Sequence, residues 1–164
     1  MKKLLSIIIV IISATFLSCD SNNPSDSKVI YLKTIANGIP LHFDTFKIEK
    51  NNAIPTDGGT PYTDLIVTLT NSNDKTKKIL LQLAEGEIGT ESCYYFVYNN
   101  DIDPNDLDQT ATDYQYTRRY DRDKFTINIT ENSNNSLKGT FSGTLLNYKS
   151  EAITINDGSF DIKY

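Results

Sequence analysis

The feature that most constrains the fold is a strict alternation of apolar and polar residues in short runs after Cys19. It is clearest over Phe125–Thr130, and it recurs in Asp64–Thr70 and Ile79–Ala84. A period of two is typical of a strand with one buried face, and no apolar pattern of helical period follows Cys19. About nine or ten such runs predict an all-β fold, a single antiparallel β-sandwich or barrel.

Local signals predict how the strands pair. Asn37-Gly38 lies between the strand-like runs Val29–Ala36 and Ile39–Glu49, and Asn-Gly favours a tight hairpin. A bulge near Asp44-Thr45 would place the apolar residues of the second run on one face. Asp157-Gly158 predicts a last hairpin. The predicted core consists of the apolar phase of the runs, namely Leu65, Val67, Leu69, Ile79, Leu81, Leu83, Phe125, Ile127, Ile129, Phe141, Phe160 and Ile162.

The first residues have the layout of an export signal. Lys2 and Lys3 precede an uncharged apolar run, Leu4–Leu17, and Ser18 is a small residue directly before Cys19. The apolar run is shorter than the roughly 20 residues of a membrane-spanning helix. The order of these parts, ending in a cysteine, favours a lipoprotein signal, with an ordinary secretory peptide or an uncut anchor as alternatives.

The segment Phe16–Cys19 resembles the lipobox of bacterial lipoproteins, in a relaxed form similar to that of Bacteroidetes. The resemblance implies cleavage before Cys19 and lipidation of its thiol. It divides the chain into a signal peptide (1–18), a lipidated cysteine with a flexible polar tether (19–28) and one β domain (29–164). It also implies the cell envelope, with the outer membrane favoured and both the periplasmic and the surface face left open.

The charge limits the partners. Loss of Lys2 and Lys3 lowers the 16 basic residues to 14 against 21 acidic ones, a net charge of −7. This argues against nucleic acid and against electrostatic binding to anionic lipid, so the acyl chains on Cys19 would be the membrane link. Cys93 then lacks a disulfide partner and is predicted to be a buried, inert thiol. His42, the single histidine, is predicted to lie at the surface.

The polar segment Asn99–Asp113 partly matches a calcium-binding loop. It matches the first three ligand positions of an EF-hand loop, with Asp101, Asp103 and Asn105. Asp106 stands where that loop needs glycine, and Thr112 stands where it needs a bidentate glutamate. A solvated acidic loop is therefore favoured over a metal site, and no cofactor is predicted.

The same segment leads into a tyrosine-rich strand and is the candidate ligand site. Carboxylates can accept hydrogen bonds from sugars, and tyrosines offer apolar area together with a hydroxyl. The candidate ligand-binding residues are Asp101, Asp103, Asp106, Asp108, Tyr114 and Tyr116. The alternative is that the acids keep the protein soluble and the tyrosines cover one face of the sheet.

The end of the chain carries a second resemblance. Lys138–Leu145 reads KGTFSGTL and Ile155–Ile162 reads INDGSFDI. Together with Ala36-Asn37-Gly38 and Gly89–Tyr95, they resemble a family of small Bacteroidetes lipoproteins with a single β-rich domain after the lipobox. The resemblance implies a fold and a compartment, and it carries no catalytic residue.

Function is predicted from these properties taken together. The chain has no Gly-x-Ser-x-Gly elbow, no histidine-rich metal motif and no phosphate loop, so a non-catalytic binding or interaction module is favoured. A glycan or an envelope protein is the expected partner. The alternatives are an envelope inhibitor or immunity protein, and a glycan-processing enzyme that uses a carboxylate pair.

Overall fold

A computed structural model describes residues 30–55, 58–100, 113–118 and 124–164. The predicted signal (1–18), the tether with Cys19 (19–28) and the acidic residues Asp101, Asp103, Asp106 and Asp108 lie outside these ranges. Among the described residues, no helix is long and apolar enough to cross a membrane.

The domain is all-β, as predicted. The described residues form ten strands: β1 (Leu32–Ala36), β2 (Ile39–Phe43), β3 (Thr45–Ala53), β4 (Tyr62–Thr70), β5 (Lys78–Ala84), β6 (Cys93–Asn99), β7 (Asp113–Thr117), β8 (Phe125–Ser133), β9 (Ser136–Leu146) and β10 (Ala152–Lys163). They make one antiparallel sheet in the order β2-β1-β10-β9-β7-β6-β5-β4-β3, and β8 pairs alongside β9.

The sheet curls until its two ends nearly meet. β2 and β3 stand at opposite ends of the strand order, yet only Asp44 separates them along the chain. A strand break thus replaces the predicted bulge. Asp44 accepts hydrogen bonds from the backbone N–H and the hydroxyl of Ser72, each at 2.8 Å. The rings of Tyr31 and Phe46 pack edge to face across the gap, with centroids 4.6 Å apart. The result is a nearly closed, barrel-like sheet.

The predicted hairpin at Asn37-Gly38 and the predicted core are confirmed. Ala36 pairs with Ile39 around Asn37 and Gly38, which have φ values of 47° and 81°. β5 pairs over its whole length with Asp64–Thr70 of β4. All twelve predicted core residues are buried. The pattern missed other members of the core, among them Leu32, Phe43, Phe96, Tyr98, Leu137, Leu145, Ile153 and Ile155.

The predicted hairpin at Asp157-Gly158 is wrong, because β10 continues through it with a register shift opposite β9. Gly158 faces Phe141 across the strands, and a β-carbon on Gly158 would lie 2.6 Å from Cζ of that ring. Gly139 faces Phe160 in the same way. Each phenylalanine therefore covers a glycine of the partner strand, which gives the Gly-Phe pattern at the end of the chain a packing role.

Candidate binding site

The two predicted tyrosines face the core. Tyr116 is only 2% exposed, and its ring centroid lies 5.4 Å from that of Phe125. Tyr114 is half-buried against the core, and its ring centroid lies 6.4 Å from that of Tyr98. This arrangement favours the packing alternative for Tyr116, since a covered ring cannot stack on a ligand, and Tyr114 is partly covered on the same face.

An open cleft elsewhere on the domain brings aromatic and charged side chains together. Its volume is about 570 Å³. It is lined by Thr60, Pro61, Tyr62, Ala84, Glu87, Tyr94 and Arg118. These residues come from the start of β4 and the loop before it, the end of β5 and the turn after it, the start of β6 and the residue that follows β7. No single stretch of sequence marks the cleft, so the sequence reasoning missed it.

A β-bulge in β6 directs Tyr94 toward the cleft. Cys93 and Phe96 are both fully buried, although residues three apart in a regular strand point to opposite faces. The pairing with β5 shifts register between Cys93 and Tyr95, which leaves Tyr94 as the extra residue. A bulge of this kind re-aims a side chain, and here it removes Tyr94 from the core face.

A buried carboxylate fixes the Tyr94 hydroxyl. Asp64 is 7% exposed and lies in β4 opposite the small side chain of Ala84. One of its oxygens, Oδ1, accepts a hydrogen bond from the Tyr94 hydroxyl. The other, Oδ2, accepts a bond of 2.7 Å from the side-chain amide of Gln82. Both carboxylate oxygens are thus engaged, and the Tyr94 ring is held in one orientation.

The ionisation of Tyr94 follows from this setting. Burial raises the pKa of Tyr94 well above its ordinary value, and the hydrogen bond and the charge of Asp64 raise the pKa further. Tyr62, which lines the same cleft, acts on the pKa of Tyr94 in the same direction. Tyr94 is therefore a neutral phenol at physiological pH, with its proton directed at Asp64.

Strand β8 fixes the wall of the cleft that carries Glu87. The side-chain amide of Asn132 donates to the carbonyl oxygens of Ala84 and Glu87, at 2.8 and 2.9 Å. Two residues beyond Glu87, Gly89 exchanges backbone hydrogen bonds with Ile129 at 2.7 and 3.1 Å. The turn after β5 is therefore bonded at two points to a strand that is distant in sequence. Asn132 acts here as a positioning residue.

Arg118, which follows β7, also lines the cleft. Its guanidinium donates a hydrogen bond to the carbonyl oxygen of Glu91, so this side chain is also tied to the connection between β5 and β6. Among the lining residues, the positive charge of Arg118 is matched by the negative charge of Glu87. The cleft thus combines two tyrosines with a balanced pair of charges.

The described residues favour neither a metal site nor a reactive cysteine. In the described part of the chain, no three His, Cys, Asp or Glu side chains are grouped so that they could hold a metal ion. Cys93 is fully buried as predicted, and burial raises the pKa of its thiol to about 12. A thiol with that pKa is protonated at neutral pH and is a poor nucleophile.

Comparison with known proteins adds no relative. The chain matches no protein-family model, no curated protein and no solved structure.

Proposed function

We propose that this chain is a lipid-anchored cell-envelope protein whose β domain is a non-catalytic binding module, with the Tyr62–Tyr94 cleft as its recognition site. The observation that carries the proposal is the Tyr94 ring, held by Asp64 in a cleft that the exposed Tyr62 also lines. An open cleft with aromatic walls and a few fixed polar groups is typical of a ligand site. Fixing the ring in advance reduces the entropy lost on binding.

The carboxylates of the cleft favour binding over catalysis. Enzymes that hydrolyse glycosides with an acid and a base need two carboxylates that reach the substrate. Asp64 is buried behind Tyr94, and both of its oxygens accept hydrogen bonds. Among the described residues that line the cleft, Glu87 is then the one carboxylate.

Affinity purification tests the binding module directly. We expect that tagged wild-type chain, purified from detergent-solubilised envelope, retains envelope material that Tyr62→Ala loses, since truncating a central aromatic anchor is costly. The tyrosine of the matched control, Tyr148→Ala, is 57% exposed and lies outside the cleft. This control should retain the material. Equal recovery with all three chains would remove the cleft from the proposal.

The anchor is tested by labelling with a radioactive fatty acid. We expect label on the wild-type chain and none on Cys19→Ser, which should leave the membrane fraction because it lacks acyl chains. Cys93→Ala is the matched control, since Cys93 is the only other cysteine and is buried. It should be labelled like the wild type. Label that persists on Cys19→Ser would refute the anchor.

A further inference from the structure

We infer that the cleft takes a neutral saccharide, with its sugar rings against the tyrosines. This inference rests on the proposed binding function and names the class of ligand. It depends on the charge, the hydrogen-bonding groups and the apolar surface of the cleft.

The charges of the cleft disfavour an ionic ligand. Arg118 and Glu87 both line it, and the carboxylate of Asp64 lies behind Tyr94. An anion would approach the two carboxylates as well as the guanidinium, and a cation would approach Arg118. Like charges brought together at a binding site oppose association. A neutral ligand meets neither penalty.

The hydrogen-bonding groups match a ligand whose hydroxyls both donate and accept. The Tyr94 hydroxyl donates its hydrogen bond to Asp64, so its oxygen presents lone pairs to the cleft. Glu87 also accepts, whereas the guanidinium of Arg118 can only donate. The hydroxyls of Thr60 and Tyr62 do both. A sugar carries such hydroxyls on adjacent carbons, so it can meet donors and acceptors that alternate around one small site.

The apolar surface matches the carbon-bound faces of a sugar ring. Tyr62 is 38% exposed, and Pro61 and Ala84 add apolar area beside the two aromatic rings. Tyrosine combines a flat apolar face with a polar tip, as a ring with hydroxyls at its rim requires. A volume of about 570 Å³ lies within the range of small-molecule sites, roughly 300–1,000 Å³.

Calorimetric titration of the full chain tests the saccharide. The chain is held in a detergent without a sugar head group, and the neutral probes are maltotriose, cellotriose and chitotriose, with trigalacturonate as the anionic probe. We expect heat with at least one neutral probe and none with trigalacturonate. Tyr62→Ala should weaken that binding about tenfold or more. Tyr94→Phe keeps the ring and removes the oxygen, so it should cause a smaller loss, and Tyr148→Ala should cause none.

The outcomes separate the saccharide from the proposed function. Thermal unfolding of each variant first shows whether it is folded, and Tyr62→Phe replaces Tyr62→Ala if the latter is not. If no neutral probe binds while envelope material still depends on Tyr62, the saccharide inference fails and the binding module stands. If trigalacturonate binds more tightly than every neutral probe, the charge argument fails. If neither sugar nor envelope material depends on Tyr62, both proposals fail.

Discussion

Replacing Phe141 by alanine is expected to lower the free energy of unfolding by about 3–5 kcal/mol. Phe141 is 3% exposed, and its ring centroid lies 5.0 Å from that of Phe96 and 6.3 Å from that of Phe160. The same ring covers Gly158 on the neighbouring strand. Truncation would therefore leave a cavity and would also expose a glycine backbone that no side chain of its own can cover.

Equilibrium unfolding in urea measures this loss, because the free energy of unfolding falls linearly with denaturant. The matched control is Ile39→Ala, since Ile39 is 63% exposed in β2. We expect the control to change stability by no more than about 0.5 kcal/mol. An unfolding midpoint of Phe141→Ala equal to that of Ile39→Ala would contradict the assignment of Phe141 to the core.

The hairpin at Asn37-Gly38 and the core could be predicted because their signals are local. Asn37-Gly38 marks a turn within two residues, and alternation identifies a buried face within six. Closure of the sheet has no such signal. It depends on the strand break at Asp44 and on the pairing of Leu32 with Phe160, which come from opposite ends of the domain's sequence. Pairing at that separation in sequence depends on tertiary packing, which no local pattern encodes.

The candidate site was beyond sequence reasoning for a related reason. The alternation placed Tyr114 and Tyr116 on one face correctly, but it could not decide whether that face is inward, because tyrosine suits either environment. The sequence does contain one signal for the bulge at Tyr94. The run Cys93–Phe96 contains no charged or amide side chain. Its two ends are three residues apart, so in a regular strand they would point to opposite faces and could not both be buried in one core. A bulge resolves this, and the direction in which the bulge aims Tyr94 depends on Asp64 from another strand.

Replacing Gly143 by alanine is expected to destabilise the domain by about 2–5 kcal/mol, from two separate causes. Its φ of +130° is a conformation that side chains with a β-carbon rarely adopt. The new β-carbon would also lie 2.7 Å from Cα of Phe125 and closer still to the carbonyl oxygen of Lys124. That oxygen cannot easily move away, since it accepts a hydrogen bond of 2.8 Å from the backbone N–H of Thr144.

Gly38→Ala is the control for a glycine with a positive φ but no steric clash. Gly38 also has a positive φ, +81°, but a β-carbon there meets no atom within 4 Å. The control should therefore cost about 1–2 kcal/mol, for the backbone conformation alone. The excess cost of Gly143→Ala over this control, measured by urea unfolding, contains the cost of forcing β8 away from β9 and the greater backbone strain at a φ of +130°. Equal costs for the two variants would mean that the strands are not in close contact at Gly143.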